Sequence, residues 1–350
     1  MSVYADNKAS VRDLAHDDLA WRPYGMTSWG NRAAPPLCCP VVERNDNELI
    51  NDLDDRLIAW AREVGFSDDY LDKLRRTSFG RLIALTHSHS DDVDRLLLAA
   101  QINTALWSLD DYYADDSTMG AVQEQLPTRL VSAMAAMESL PQVGSYMHEL
   151  EAGWEGDPVL TALRSSMDRM RRLASPSQVA RLCHATFSLF VSSTAYAEWR
   201  IKGVFPPLAN YLIMRQFDSF YVSMMLIDVV DDYDLPANLF YDPRVCRAAR
   251  QAGAASTILN DLYSVARDAA DERPVCNAVL IIAAEQGCSL QAATAQVVDI
   301  HNALVRDFEA SCRALEHVPS VELQRYLHGL QAWMGGAFAW HDACPRYKHL

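Results

Sequence analysis

Two groups of oxygen-bearing side chains have the spacing of a chemical site. The first is Asp110-Asp111-Tyr112-Tyr113-Ala114-Asp115-Asp116, which closes a mainly apolar stretch running from Leu96 to Trp107. Asp111 and Asp115 are four apart and share a helix face, with Asp110 beside them. The helix dipole favours cations at a C-terminus, so this crowd of carboxylates calls for a counter-charge. A hard divalent cation held by oxygen would supply it; the plainer alternative is a solvated acidic turn. The second group is Asn260, Ser264 and Asp268, at i, i+4 and i+8 in the run Asn260-Asp261-Leu262-Tyr263-Ser264-Val265-Ala266-Arg267-Asp268. One amide, one hydroxyl and one carboxylate then stack on one face, a donor set suited to Mg²⁺ and not to zinc. Such a polar stripe in an otherwise apolar helix costs free energy unless paired or liganded, although ordinary helix-surface polarity would also produce it. Two such sites facing each other across a bundle would bind a diphosphate and stabilise it as the leaving group when an allylic C–O bond ionises.

The elements that must position these residues read as helices. Leu49, Ile50, Leu53, Leu57, Trp60, Ala61 and Val64 follow the spacing of one buried helix face. Asp157-Pro158, Ser175-Pro176 and Asp242-Pro243 each set an N-cap residue before a first-turn proline, and Ser289 and Pro319-Ser320 open two more helices. The stretches 208–230, 244–270 and 290–316 look apolar around much of their circumference, as expected of helices inside a bundle. No stretch alternates with hairpin punctuation, so no strands are expected. The pattern predicts an all-α, single-domain helical bundle over residues 46–350. An irregular N-terminal arm over 1–45 is expected to lie on it, anchored by Trp21, Tyr24 and Trp29.

Composition narrows the function. The 350 residues carry 31 Lys plus Arg against 46 Asp plus Glu, a formal charge of −15. That argues against a nucleic-acid or anionic-membrane partner. Half the residues are apolar, enough for a large core. The eight cysteines form no CxxC pair and are expected to be reduced, mostly buried thiols. His87 and His89 are expected to be solvated loop residues and not ligands. The N-terminus has no signal-peptide pattern and no apolar run is long enough to span a bilayer, so a cytoplasmic protein is expected.

The two motifs resemble those of the bacterial class I terpene synthases, and the likeness runs from about residue 35 to the C-terminus. Asp110, Asp111 and Asp115 match the family's DDxxx(D/E) motif, with Asp116 as an extra member. Asn260, Ser264 and Asp268 match its NDxxSxxx(D/E) triad, with Asp where Glu is often found. Arg215 lies 45 residues before Asn260, at the place of the diphosphate-sensing arginine. Asp218 then takes the linker position, and Ser219 the effector position, where glycine is commoner. Arg346 and Tyr347 resemble the terminal Arg-Tyr pair that hydrogen-bonds the diphosphate, and Arg267 the basic residue before the last triad ligand. Pro36-Leu37-Cys38-Cys39-Pro40, Phe79-Gly80-Arg81-Leu82, Leu85-Thr86-His87 and Ser175 through Leu182 look most like the branch that makes 2-methylisoborneol and 2-methylenebornane from 2-methylgeranyl diphosphate. The 2-methylisoborneol enzymes favour cysteines where this chain has Tyr112 and Ala114, which tilts the reading toward 2-methylenebornane.

The resemblance implies a central cavity, three Mg²⁺ ions bound with a prenyl diphosphate substrate, no protein nucleophile, and homodimers as in similar enzymes. Aromatic faces would line the cavity, since a ring quadrupole stabilises a cation without reacting with it. The candidates are Trp107, Tyr113, Phe187, Phe217, Phe220, Trp333, Phe338 and Trp340. A cyclase acting on geranyl or farnesyl diphosphate is the alternative within the class. A chain-elongating prenyltransferase would carry a second aspartate-rich motif where this chain has the triad. A non-catalytic Ca²⁺-binding helical protein would leave the triad and Arg215 unexplained.

Overall fold

A computed structural model of the chain describes residues 21–347 except 31–33, 43, 45, 116–118, 139, 142, 155, 218 and 272–275. Helices dominate it, and the capping signals in the sequence mark where they start. After α1 (Asn47–Glu63), α2 (Asp68–Thr77) and α3 (Phe79–Thr86), the chain enters α4 (Val93–Leu109), whose N-terminus is capped by the Asp92 side chain. Then come α5 (Leu126–Met137), α6 (Tyr146–Trp154), α7 (Pro158–Leu173) and α8 (Pro176–Lys202). Asp157 accepts from the amides of Val159 and Leu160 to start α7, and Ser175 with Gln178 forms a reciprocal capping box on α8. Short segments follow: α9 (Leu208–Arg215), α10 (Ser219–Ser223), α11 (Ile227–Val230) and α12 (Ala237–Phe240). The chain closes with α13 (Pro243–Ala269), α14 (Ala278–Gln286), α15 (Leu290–Leu315) and α16 (Val321–Ala343). Asp242, Ser289 and Ser320 cap three of these through side-chain acceptance of a backbone N–H, as their sequence positions predict.

α4 and α13 form the middle of the bundle. α4 buries residues on every side from Leu96 to Leu106, and α13 packs against α15, α16 and α10. α15 differs from its expected central role. Its buried residues, Ala293, Val297, Val298, His301, Val305, Phe308 and Cys312, fall on one face, so it is an outer helix covering α13. The apolar stretch 208–230 is not one helix either: it breaks after Arg215 and resumes at Ser219, with a 3₁₀ turn at Met224–Leu226.

Strands also occur, against expectation. β1 (Tyr24–Thr27) and β2 (Leu37–Pro40) pair antiparallel, with Tyr24 opposite Pro40 and Thr27 opposite Leu37. Four-residue strands containing Pro and adjacent cysteines carry too little alternation to be read as a hairpin. Side chains of the bundle hold this ribbon in place. Asn302 of α15 accepts from the Cys38 amide at 2.7 Å and donates to the Pro36 carbonyl. Gln331 of α16 makes a matching pair with the Arg22 amide and carbonyl, both at 2.9 Å. Trp21 stacks on His328 at 4.0 Å, and Trp29 packs on Tyr263 while its indole N–H donates to the Pro35 carbonyl. Trp21 and Trp29 therefore anchor the described part of the arm, and Tyr24 is partly buried against the same core. His87 departs from its solvated reading: it is buried at the end of α3. All eight cysteines are free thiols, five of them buried. No helix among the described residues is long and apolar enough to cross a membrane.

Candidate active site

Both halves of the site line one cavity of about 150 Å³. Asp110 lies on one wall, where α4 passes into a π-helical turn over Asp110–Asp115. A π-turn lets a helix aim one side chain out of the usual register, and such turns gather at functional sites. Asn260, Ser264, Arg267 and Asp268 line the same cavity from α13. Arg215 enters from the end of α9, and Arg346 and Tyr347 from the 3₁₀ turn after α16. The remaining lining is mostly apolar or weakly polar and includes Leu106, Trp107, Ala114, Leu189, Met214 and Phe220.

The triad is held from behind. Ser264 donates to Asp268 Oδ2 at 2.5 Å, and Arg267 grips Asp268 Oδ1 through Nε at 3.0 Å and a terminal nitrogen at 2.8 Å. Asn260 Nδ2 reaches His341 Nε2 at 3.1 Å and the Tyr347 hydroxyl at 3.0 Å. His341 Nδ1 lies 2.7 Å from the Ala337 carbonyl, which assigns its proton there and leaves Nε2 as the acceptor. Burial lowers the His341 imidazole to about 4, with the Arg346 charge adding to the effect, so the ring stays neutral. With both amide N–H groups engaged, Asn260 keeps its Oδ1 for a ligand. Burial raises the Tyr347 phenol, which remains protonated despite Arg346 and Arg267 nearby.

Arg215 is fixed by a residue to which the sequence reading assigned no role. It pairs with Asp261, which is buried one position after Asn260 and borders the same cavity. Asp261 also accepts from the Tyr211 hydroxyl at 2.8 Å and the Ala278 amide at 3.0 Å. Burial pushes its carboxyl up, against the opposing pull of Arg215, the amide and the hydroxyl. Asp261 is the second residue of the NDxxSxxx(D/E) run, but its task was signalled only by an acidic residue on the apolar side of a helix, where a carboxylate must be paired.

Several expected site residues lie elsewhere. Asp111 does not line the cavity: its carboxylate turns toward α2, where it pairs with Lys73 at 2.7 Å and accepts from the Tyr70 hydroxyl at 3.0 Å. The π-turn sends consecutive side chains in different directions, and Lys73 supplies the counter-charge that a cation was expected to provide. Asp116 and Asp218 lie outside the described residues, as do the side chains of Asp115 and Ser219. Of the eight aromatic candidates, Trp107 and Phe220 line the cavity. Tyr113 instead donates to Asp157 at 2.7 Å, Phe187 packs on Phe190, and Phe217 lies under Arg250 on the outer side of α13. Trp333 backs Phe220 at 5.3 Å, Phe338 abuts Tyr263, and Trp340 donates to the Thr77 carbonyl while meeting Trp107 edge-on. Helical spacing marks such rings as buried and is blind to whether a cavity or another helix faces them.

A divalent cation fits the donors that are present. Among the described residues no cluster of three His, Cys, Asp or Glu side chains could hold a metal. The cavity's oxygen donors are instead a mixed set, Asp110 with Asn260, Ser264 and Asp268, the chemistry of a hard cation. Three arginines in the same cavity match a polyanionic ligand.

An all-α bundle enclosing such a cavity defines the class I terpene synthase architecture. Residues 101–307 match the family model for terpene synthase family 2, C-terminal metal binding. The chain is 34% identical over 325 residues to a 2-methylisoborneol synthase of Streptomyces griseus, covering 91% of this chain and 74% of that protein. A 2-methylisoborneol synthase of Saccharopolyspora erythraea is 29% identical, with 89% of each chain covered. The crystal structure of 2-methylisoborneol synthase from Streptomyces coelicolor A3(2), in complex with Mg²⁺ and 2-fluoroneryl diphosphate, superimposes with a TM-score of 0.84 at 29% identity, covering 89% of this chain and 96% of that one. The chain belongs to the terpene synthase family and is an enzyme, a terpene cyclase.

Proposed function

We propose that this cyclase acts on 2-methylgeranyl diphosphate, closing the C11 chain to a bornane skeleton with release of diphosphate and ending in proton loss, as 2-methylenebornane. Three Mg²⁺ ions would be held with the substrate by Asp110 and by Asn260, Ser264 and Asp268. The observation that carries this reading is the convergence of those donors with Arg215, Arg267, Arg346 and Tyr347 on one cavity that also has apolar and aromatic lining from Leu106, Trp107, Leu189, Met214 and Phe220. When bound, Mg²⁺ supplies Lewis-acid stabilisation of the departing diphosphate. Arg215, held in place by Asp261, and Arg346 would offer charge-assisted hydrogen bonds to the same group. Trp107 and Phe220 line the cavity and would supply aromatic stabilisation to the carbocation, while closure would keep out water that quenches it early.

Ending in proton loss is supported by Ala114 in the cavity wall, where the 2-methylisoborneol branch favours cysteine. Tyr112, the second such position, packs instead against Tyr70 and Phe66. Water capture to the alcohol is a second reading, favoured by a polar pair in the wall: Ser223 donates to Asn103 at 2.5 Å, and both line the cavity. Parallel incubations with Mg²⁺ and geranyl, 2-methylgeranyl or farnesyl diphosphate, followed by headspace analysis, test these readings. A C11 hydrocarbon formed only from the methylated substrate is the expected result. A C11 alcohol would replace proton loss with water capture, and products from geranyl or farnesyl diphosphate alone would overturn the substrate assignment.

A further inference from the structure

Asn277 is wholly buried beside the metal-binding face of α13, yet it belongs to none of the motifs. Its side chain has two tasks. Oδ1 accepts from the Val279 amide at 2.9 Å and so caps α14. Nδ2 lies 2.8 Å from the Asp261 carbonyl, 3.0 Å from Asp268 Oδ2 and 3.3 Å from Ser264 Oγ. An amide has two N–H groups for these three acceptors. One N–H therefore goes to the carbonyl and the other falls between the carboxylate and the hydroxyl. The cap fixes which way the amide faces. A flipped Asn277 would lose the Val279 bond and set its own oxygen against a carboxylate and a carbonyl.

Besides Ser264 of the triad itself, Asp268 is held by Arg267, whose side chain is 46% exposed. Arg267 can exchange the carboxylate for an incoming diphosphate, whereas Asn277 has no room to leave. We infer that Asn277 is a positioning residue, coupling the start of α14 to the metal triad and holding Asp268 Oδ2 and Ser264 Oγ in their cation-binding orientation. The inference rests on the reading of the triad as a Mg²⁺ site. Outer partners of metal ligands typically govern about 10–100-fold in metal affinity.

Asn277→Ser separates the two tasks, because serine is a good N-cap but too short to donate to Asp268. The readout is thermal melting of the full chain with inorganic pyrophosphate and increasing Mg²⁺, alongside steady-state kinetics. Asn277→Ser should melt close to the wild type without ligand. It should need about 10–100-fold more Mg²⁺ for a half-maximal rise in melting temperature, with kcat recovering at saturating Mg²⁺. Asn277→Asp keeps the volume and the cap but presents only acceptors to Asp268, and it should show a Mg²⁺ defect of the same kind if the serine variant folds poorly. Wild-type Mg²⁺ dependence in both variants would overturn the positioning role, as would a lowered ligand-free melting temperature with unchanged Mg²⁺ dependence. A wild-type protein with no Mg²⁺-dependent shift would remove the metal reading itself, a result distinct from either of these.

Discussion

Asp261 determines where Arg215 can point. Its two oxygens are shared among a guanidinium, the Tyr211 hydroxyl and the Ala278 amide, with almost no exposure to water. Breaking a buried pair leaves an uncompensated charge and typically costs about 3–5 kcal/mol. Asp261→Asn should therefore destabilise the fold by roughly that amount and lower kcat, while leaving the Mg²⁺ requirement near that of the wild type. Urea unfolding and Mg²⁺ titrations of turnover would check it, and an unchanged stability would show that the pair is idle. The contrast with Asn277 is useful, since one residue orients an arginine and the other orients metal ligands. At this scale the triad was legible because i, i+4, i+8 spacing is a geometric statement about one face of a helix. Asp261 was not, because its task depends on α9 and α14, which approach from another part of the chain.

The elements show where one helix leaves no room for a side chain on its neighbour. α16 crosses α3 at Gly336, where an added Cβ would lie 2.5 Å from the Leu85 carbonyl and the Thr86 amide. Those are backbone atoms and cannot rotate aside. Gly336→Ala should cost about 1–3 kcal/mol as overpacking and displace the helix end that carries His341, Arg346 and Tyr347. Gly153→Ala is the control: its Cβ would meet nothing within 4 Å, so the helix propensity of alanine should make that change neutral or stabilising. Melting temperatures of the two variants decide the matter, and equal values would refute the crossing argument. Helix starts were the most legible elements, because Asp157, Ser175, Asp242, Ser289 and Ser320 act locally on the next turn. The β1–β2 ribbon and the π-turn at Asp110 were illegible as such. Each is decided by what packs against it, as Asn302 does on β2 and Lys73 on Asp111.

At the scale of the whole molecule, the fold responds to acid through histidines placed deep in the core. Burial holds the His87 imidazole down at about 3, and His301 and His341 at about 4. A histidine in an unfolded chain titrates near 6.5. Below that pH the unfolded chain takes up protons that the folded chain refuses. Stability is therefore lost as pH falls from 6.5 toward the folded values, and is unaffected by these groups above 6.5. Buried carboxyls such as Asp54 and Asp261 are shifted upward and act in the opposite direction, so the net acid response of the wild type does not isolate the histidines. A single-site difference does, because every other group cancels. His87 is the cleanest choice: it lies at the end of α3, outside the cavity lining, and its buried Nε2 has no hydrogen-bond partner among the described residues. His87→Gln cannot titrate, so its stability relative to the wild type should be constant above pH 7. Below pH 6.5 that difference should move in the variant's favour by up to about 1.4 kcal/mol per pH unit. Urea unfolding of both proteins at pH 7.5, 6.0, 5.0 and 4.0 measures the difference directly. Parallel curves would mean that His87 titrates equally in the folded and unfolded chains, and that it is not sealed in the core.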